Sequence, residues 1–297
     1  MTIRLKELSD TLAAAVDAAG AGVVRVEGRR PIPASGIVWS AEGVIVTAHH
    51  VVRAEEGIVV GLPDGRDVPA QFVGRDPGTD IAVLRMGERG EKVPEWKDPR
   101  EIKVGQLALA LGRPGKGIQA SLGIVAAFGG EWQTFAGGKV EHYLQPDIVM
   151  YPGFSGGPLI AADGEVLGIS TSALMRGISV AIPALTARRV VDSILAHGRV
   201  RRGFLGVAAQ VVKLPRTFAE KVSGETGLLV VAVESGSPAE EAGMLLGDTI
   251  VEVDGQPMRR TEDLLAVLSK DVAGMKMVVN LVRGGEWKSL SVQAGER

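Results

Sequence analysis

The segment Gly153-Phe154-Ser155-Gly156-Gly157-Pro158 sets a serine in a tight, glycine-rich loop. A serine hydroxyl attacks a carbonyl carbon only when a neighbouring base takes its proton. Four histidines could serve: His49, His50, His142 and His197. Two of them stand side by side in Val46-Thr47-Ala48-His49-His50-Val51-Val52, directly after a strand-like run, where a base would face a cleft. Asp80 lies at the mouth of the apolar run Ile81-Ala82-Val83-Leu84. A carboxylate entering a core strand costs several kcal/mol unless something pairs with it, and a histidine N–H would be such a partner. Histidine, aspartate and serine in that order offer a base, a group that orients it and a nucleophile. Gly153 reaches φ values closed to other residues, so its N–H can face a developing oxyanion beside that of Ser155. One such donor is worth about 10²–10³ in rate. Gly156 and Gly157 take away side-chain bulk where a peptide backbone must approach.

Each piece has a plainer reading. Ser-Gly-Gly alone is usually a turn, and Pro77-Gly78-Thr79-Asp80 is good turn chemistry in which the aspartate merely caps. His49 reads as a structural neighbour of the base, and His142 and His197 as ordinary surface or helix-end residues. What argues against the plain readings is the set, in order, along one chain.

The elements that must carry these residues are short strands. The 297 residues include 40 glycines, well above the usual share of about 7%. Runs with hairpin punctuation recur: 35–52 turning at Ala41-Glu42-Gly43, and 57–76 turning at Pro63-Asp64-Gly65. Strand-like runs continue at 102–112, 117–128, 164–171 and 178–183, so an all-β barrel or sandwich is expected to about residue 183. Ahead of them, Leu5, Leu8, Leu12, Val16 and Ala19 recur at helical spacing up to Gly20. After them, Leu185, Val190, Val191, Ile194 and Leu195 line one face of a second helix that Gly198 would stop. A basic connector including Arg201 and Arg202, either a solvated linker or a pair that steers a carboxylate, marks a boundary near residue 200. The last hundred residues mix strands with two helices, one opened by a Ser237/Glu240 capping box. They form a small α+β module.

Composition narrows the rest. The 33 basic and 35 acidic residues give a net charge of −2 without long runs of either sign, so no nucleic-acid footprint is present. The chain has no cysteine, which excludes disulfides, thiolate catalysis and cysteine metal sites. No apolar run approaches the 18 or so residues of a membrane span. The acidic residues Glu7, Asp10 and Asp17 leave the amino terminus without a secretory core, which favours the cytoplasm. A periplasmic or cell-envelope location is the alternative if a leader has been removed.

Taken together, "VTAHHVV", "GTDIAVL" and "GFSGGPLI" resemble the trypsin-like serine proteases of the HtrA/Deg family, and "RRGFLGV" with "SGSPAEEAGMLLGDTIVEVDGQP" resembles the PDZ domain such proteases carry. The likeness runs over roughly residues 5 to 293. It implies a mainly β fold, a chymotrypsin-like double β-barrel protease domain over 1–199 followed by a small α+β PDZ domain over 200–297. It implies a serine endopeptidase of unfolded or damaged proteins, with His50 as general base, Asp80 orienting it, Ser155 as nucleophile, and Gly153 and Ser155 supplying the oxyanion N–H groups. Phe204, Leu205, Gly206 and Val207 match the loop and strand that capture a peptide carboxylate while the ligand adds a strand. Six residues before the serine, trypsin-like enzymes that cut after Lys or Arg carry a carboxylate. Here Val149 stands there, followed by Met150 and Tyr151, so small aliphatic P1 residues are expected. No metal and no cofactor are expected, and the partners are unfolded polypeptides and carboxyl-terminal peptides. A trimer is expected, with the Leu-rich helix replacing aromatic contacts absent before Trp39. One residue departs from the pattern: Phe154 stands where the family usually has a small polar residue, commonly Asn. An aromatic there is expected to pack over the cleft, narrow the leaving-group side or favour a flipped oxyanion loop. In that case the fold would serve as a non-cleaving chaperone or peptide-binding scaffold.

Overall fold

The computed structural model describes every residue except 1–3, 29–30, 91, 176, 202, 223, 269–271, 273 and 297. Two compact units emerge, Met1–Val200 and Arg201–Arg297. Arg202, half of the basic connector, lies outside the described residues.

The first unit opens with helix α1 (Leu5–Gly20), which seats Leu12, Ala15, Val16 and Ala19 against Val23, Leu109, Leu111 and Ile160. Six strands then close into a barrel: β1 (Val23–Glu27), β2 (Ala34–Val38), β3 (Val44–Ala48), β4 (Ile58–Gly61), β5 (Asp67–Asp76) and β6 (Ile81–Met86). Their order is β1-β2-β3-β6-β5-β4, antiparallel throughout, around a core of Val, Ile, Leu and Ala. The period-2 pattern is weak because β2 and β3 are buried on both faces.

A second six-stranded sheet follows. Its strands are β7 (Leu107–Gly112), β8 (Gln119–Phe128), β11 (Leu144–Asp147), β12 (Pro158–Ala161), β13 (Val166–Thr171) and β14 (Val180–Pro183). Between β8 and β11 stands a small hairpin, β9 (Trp132–Gln133) and β10 (Lys139–Val140). The order β11-β8-β7-β12-β13-β14 curls until β11 and β14 meet. Helix α2 (Ala184–His197) packs Ala187, Val190, Val191 and Ile194 across the seam, and Gly198 ends it at φ 74° with its N–H on the Ile194 carbonyl. Leu185 and Leu195, expected on that buried face, are 49% and 37% exposed and flank it instead.

The second unit begins with β15 (Gly203–Phe204), then β16 (Val207–Lys213), helix α3 (Arg216–Val222), β17 (Thr226–Val233) and the short helix α4 (Pro238–Glu241). It continues through β18 (Thr249–Val253), β19 (Gln256–Pro257), α5 (Thr261–Leu268), β20 (Lys276–Arg283), β21 (Glu286–Gln293) and β22 (Gly295–Glu296). The main sheet runs β16-β17-β18-β20-β21, so β16 is an edge strand. Half of the capping box forms: Ser237 Oγ accepts from Glu240 N at 3.3 Å. Glu240 reaches past Ser237 to the N–H of Gly236 at 2.6 Å. The Ser237 N–H is already committed to the Glu234 carbonyl.

Candidate active site

Four loop ends carry the candidate residues. His49 and His50 sit on the turn that ends β3, and Asp80 on the turn between β5 and β6, both in the first barrel. Ser155 lies between β11 and β12, and Thr171 ends β13, both in the second sheet.

The Asp80 turn is built before it is used. Asp76, buried, accepts from the N–H groups of Gly78 and Thr79 and from Thr79 Oγ1, winding 76–79 into a local turn. That turn delivers Asp80 at φ 57°, a left-handed conformation that aspartate tolerates better than most residues. Only 2% exposed, its carboxylate is saturated with donors. Oδ1 accepts from the His50 backbone N–H at 2.9 Å. Oδ2 accepts from His50 Nδ1 at 2.8 Å and from Thr171 Oγ1 at 2.5 Å. The Asp80 carbonyl takes the His49 N–H at 2.9 Å. With Nδ1–H held by Asp80, the Nε2 lone pair of His50 is left for a substrate-side proton.

His49 points elsewhere. Among the described residues its Nδ1 is buried without a hydrogen-bond partner, and burial pushes its pKa below the usual imidazole value against the pull of Asp80. It remains a neutral neighbour. Among the described residues the His142 ring meets the Gly129 carbonyl and stacks on Phe128.

Around Ser155 the backbone folds tightly. Gly153 has φ 92°, and among the described residues no group accepts from the N–H of Gly153 or of Ser155. The Gly153 carbonyl accepts from the buried Ser35 hydroxyl at 2.7 Å. Ser155 Oγ contacts Ser172 Oγ at 3.4 Å rather than the His50 ring. Catalytic hydrogen bonds are often long until substrate binds.

Two expectations change here. Phe154 does not cover the cleft: it is fully buried in the core of the second sheet, its ring edge-on to Tyr151 at 5.6 Å between centroids. It stacks on Gly112, where a Cβ would come within 2.5 Å of the ring. Gly156 likewise makes room for the protein's own interior, since a Cβ there would meet the Ser35 carbonyl at 2.2 Å. Val149 and Tyr151 are 60% and 51% exposed, and Met150 packs partly on the core. A cavity of about 760 Å³ beside His50 is lined by 134–136, 172–174 and Gly177, with Phe135 and Leu174 on its wall. Thr171, which clamps Asp80, escaped the sequence reading because it ends an ordinary-looking strand.

In the second unit the carbonyls of Leu205 and Gly206 accept from Ala239 N and Glu234 N, and among the described residues no group accepts from the N–H of Leu205 or Gly206. Gly206 has φ 83°, Leu205 is buried in the core, and Phe204 pairs with β22. Val207 opens the edge strand β16, which α5 flanks.

Residues 34–169 match the trypsin-like peptidase domain family and 203–294 the PDZ domain family. The solved HtrA-type protease AlgW with a tripeptide superposes at a TM-score of 0.73 with 32% identity, over 96% of this chain and 97% of that one. The chain belongs to the HtrA/Deg family. A serine endoprotease from Yersinia pestis gives a TM-score of 0.76 at 28% identity over the full length of both chains. Among curated HtrA/Deg relatives, the probable periplasmic serine endoprotease DegP-like of Chlamydia trachomatis is 35% identical over 271 residues, 88% of this chain and 54% of its own. A protein of the same description from Rhizobium meliloti is 35% identical over 280 residues, 91% of this chain and 55% of its own. The chain therefore spans about half the length of the curated relatives it matches. Their names correct one expectation: these are periplasmic proteins, which overturns the cytoplasmic location read from the amino terminus.

Proposed function

We propose that this HtrA/Deg chain is a serine endopeptidase of unfolded polypeptides, acting through an acyl-enzyme on Ser155. The observation that carries the reading is the 2.8 Å bond from His50 Nδ1 to a buried Asp80 carboxylate fixed by two further donors, the His50 N–H and Thr171 Oγ1. Such a carboxylate fixes the tautomer of His50 and stabilises the imidazolium formed when it takes the Ser155 proton. Oγ then attacks the substrate carbonyl. The N–H groups of Gly153 and Ser155 receive the oxyanion, and His50 returns the proton to the leaving amine. Water then repeats the sequence on the ester.

The P1 preference for small aliphatic residues rests on the apolar Val149 where a basic-specific enzyme carries a carboxylate. Carboxyl-terminal peptides would add a strand to β16, their carboxylate meeting the N–H groups of the Phe204–Val207 loop. An oligomer, with a trimer as the working assembly, belongs to the same reading. The second half of α1 is already packed on its own chain, which leaves Leu5 and Leu8 for contact.

Cleavage of unfolded casein, compared with Ser155→Ala, is the test. Loss of the nucleophile removes about 10⁶ in turnover. Equal turnover by the two proteins would refute the assignment. A second reading, a non-cleaving scaffold, draws on the 3.4 Å contact that turns Ser155 Oγ to Ser172. Covalent labelling of Ser155 by a fluorophosphonate excludes it, and failure of both labelling and cleavage would establish it.

A further inference from the structure

Arg113 directly follows β7 with a side chain 6% exposed, yet its described partners are all carbonyl oxygens. Nε donates to Val23 O at 2.7 Å and Nη1 to Lys116 O at 2.7 Å. Nη2 donates to Gly20 O, at the last residue of α1, at 3.0 Å. Burial pushes its pKa down, but a guanidinium keeps its proton. A buried charge without a counter-charge is costly, and three carbonyl dipoles are what offset it here. Such a group belongs where its geometry is used.

The same residue leads to the nucleophile. Arg113 N donates to Ser35 Oγ at 2.7 Å, and Ser35 Oγ donates to Gly153 O at 2.7 Å. Ser35 is fully buried, its own N–H donates to Ser155 O, and its carbonyl is held by Thr47 Oγ1. The neighbours of Arg113 add contact: Gly112 lies under the Phe154 ring, and a Cβ on Gly153 would come within 2.5 Å of Pro114. Residues 112–114 thus grip 153–155, directly and through Ser35. Fixing the Gly153 carbonyl fixes the peptide plane between the two proposed oxyanion donors.

We propose that Arg113 is a positioning residue that couples the seating of helix α1 to the oxyanion loop, through Ser35. The proposal rests on the reading of Gly153 and Ser155 as oxyanion donors for its kinetic arm, and on geometry alone for its structural arm. When α1 lifts from the barrel, Gly20 O leaves the guanidinium, the 113–116 turn loosens, and Ser35 no longer holds Gly153. Turnover falls while ground-state substrate binding stays.

Hydrogen–deuterium exchange on the full chain tests the coupling without requiring activity. Arg113→Met should speed exchange in 152–157 by about tenfold, the order expected when one or two hydrogen bonds open locally. Arg113→Lys, which keeps the charge and part of the donor set, should sit between it and wild type. A distant perturbation, Leu12→Glu with Val16→Glu, should raise exchange in 5–20 and in 152–157 together. Exchange that rises in α1 alone overturns the proposal, as does an Arg113→Met loop indistinguishable from wild type. If Arg113→Met fails to fold, the lysine and helix variants decide. In kinetics, kcat should fall about 10²-fold, the worth of one oxyanion donor, with KM within twofold. A KM change with kcat preserved also overturns it. A wild type that neither cleaves nor labels removes the endopeptidase reading and leaves the exchange result standing.

Discussion

Thr171 and His50 donate to the same oxygen, Oδ2 of Asp80, from opposite halves of the protease unit. His50 belongs to the first barrel and Thr171 to the second sheet, so this one carboxylate oxygen ties the two halves together beside the proposed base. Thr171→Val keeps the shape and removes the donor. A hydrogen bond to a charged group is worth about 1.5–3 kcal/mol, so kcat/KM should fall about ten- to a hundredfold. Steady-state kinetics on a casein-derived peptide checks it; an unchanged kcat/KM would mean that the His50 bond alone holds Asp80.

The adjacent histidines separate cleanly in kinetics. His50→Ala should abolish turnover by about 10⁶, as loss of a triad base does elsewhere. His49→Asn should keep it within a few fold, because the His49 ring is half-buried, unpartnered at Nδ1 and neutral. Its depressed pKa adds a stability effect. The unfolded chain binds a proton below about pH 6.5 that the folded chain resists, so folding weakens as pH falls from there. Urea melts at pH 7.5 and 5.5 should show the asparagine variant losing less stability on acidification than wild type.

The PDZ unit carries its own acid dependence. Burial alone would raise the Asp248 carboxyl, but the bidentate bonds of Arg283 at 2.7 Å, the Leu245 N–H and the arginine charge together hold it below the usual range. A depressed folded pKa stabilises above the unfolded value of about 3.9, and that stability is lost as pH falls through the folded one. Arg283→Met should cost about 3 kcal/mol at pH 7 by stranding a buried carboxylate. It should also reverse the slope, since unopposed burial raises the pKa and favours the folded state in acid. Fluorescence of Trp287, the unit's single tryptophan, follows the transition. Parallel slopes in both proteins would refute the pairing.

How much of this was legible in advance depends on distance along the chain. His50, Asp80 and Ser155 each sit in a local pattern of strand end, turn and glycine, so their order could be read. Thr171 and Ser35 could not: each lies in an apolar strand run and gains its meaning only from a partner 91 or 118 positions away. Direction was the other gap. Adjacency to Ser155 suggested that Phe154 faces the cleft, but the positive φ of Gly153 turns the chain and sends the ring inward. The helix α2 face was read correctly at Val190, Val191 and Ile194, and misread at Leu185 and Leu195, where the stripe is narrower than hydrophobicity implied.

Phe154 rests on a neighbour, Gly112, that is a glycine by necessity. Phe154→Ala should cost about 3–5 kcal/mol from the lost core contact and cavity, and Phe154→Asn more, because it also buries an amide. Neither should raise turnover per folded molecule, contrary to what a ring lying over the cleft would give. Gly112→Ala alone should also destabilise, since its new methyl would press on the ring at 2.5 Å. In the double variant the methyl occupies space the ring has left, so the two costs should fall well short of their sum. Urea midpoints of the four proteins give the coupling; strict additivity would show that the Phe154 ring does not rest on Gly112 in solution.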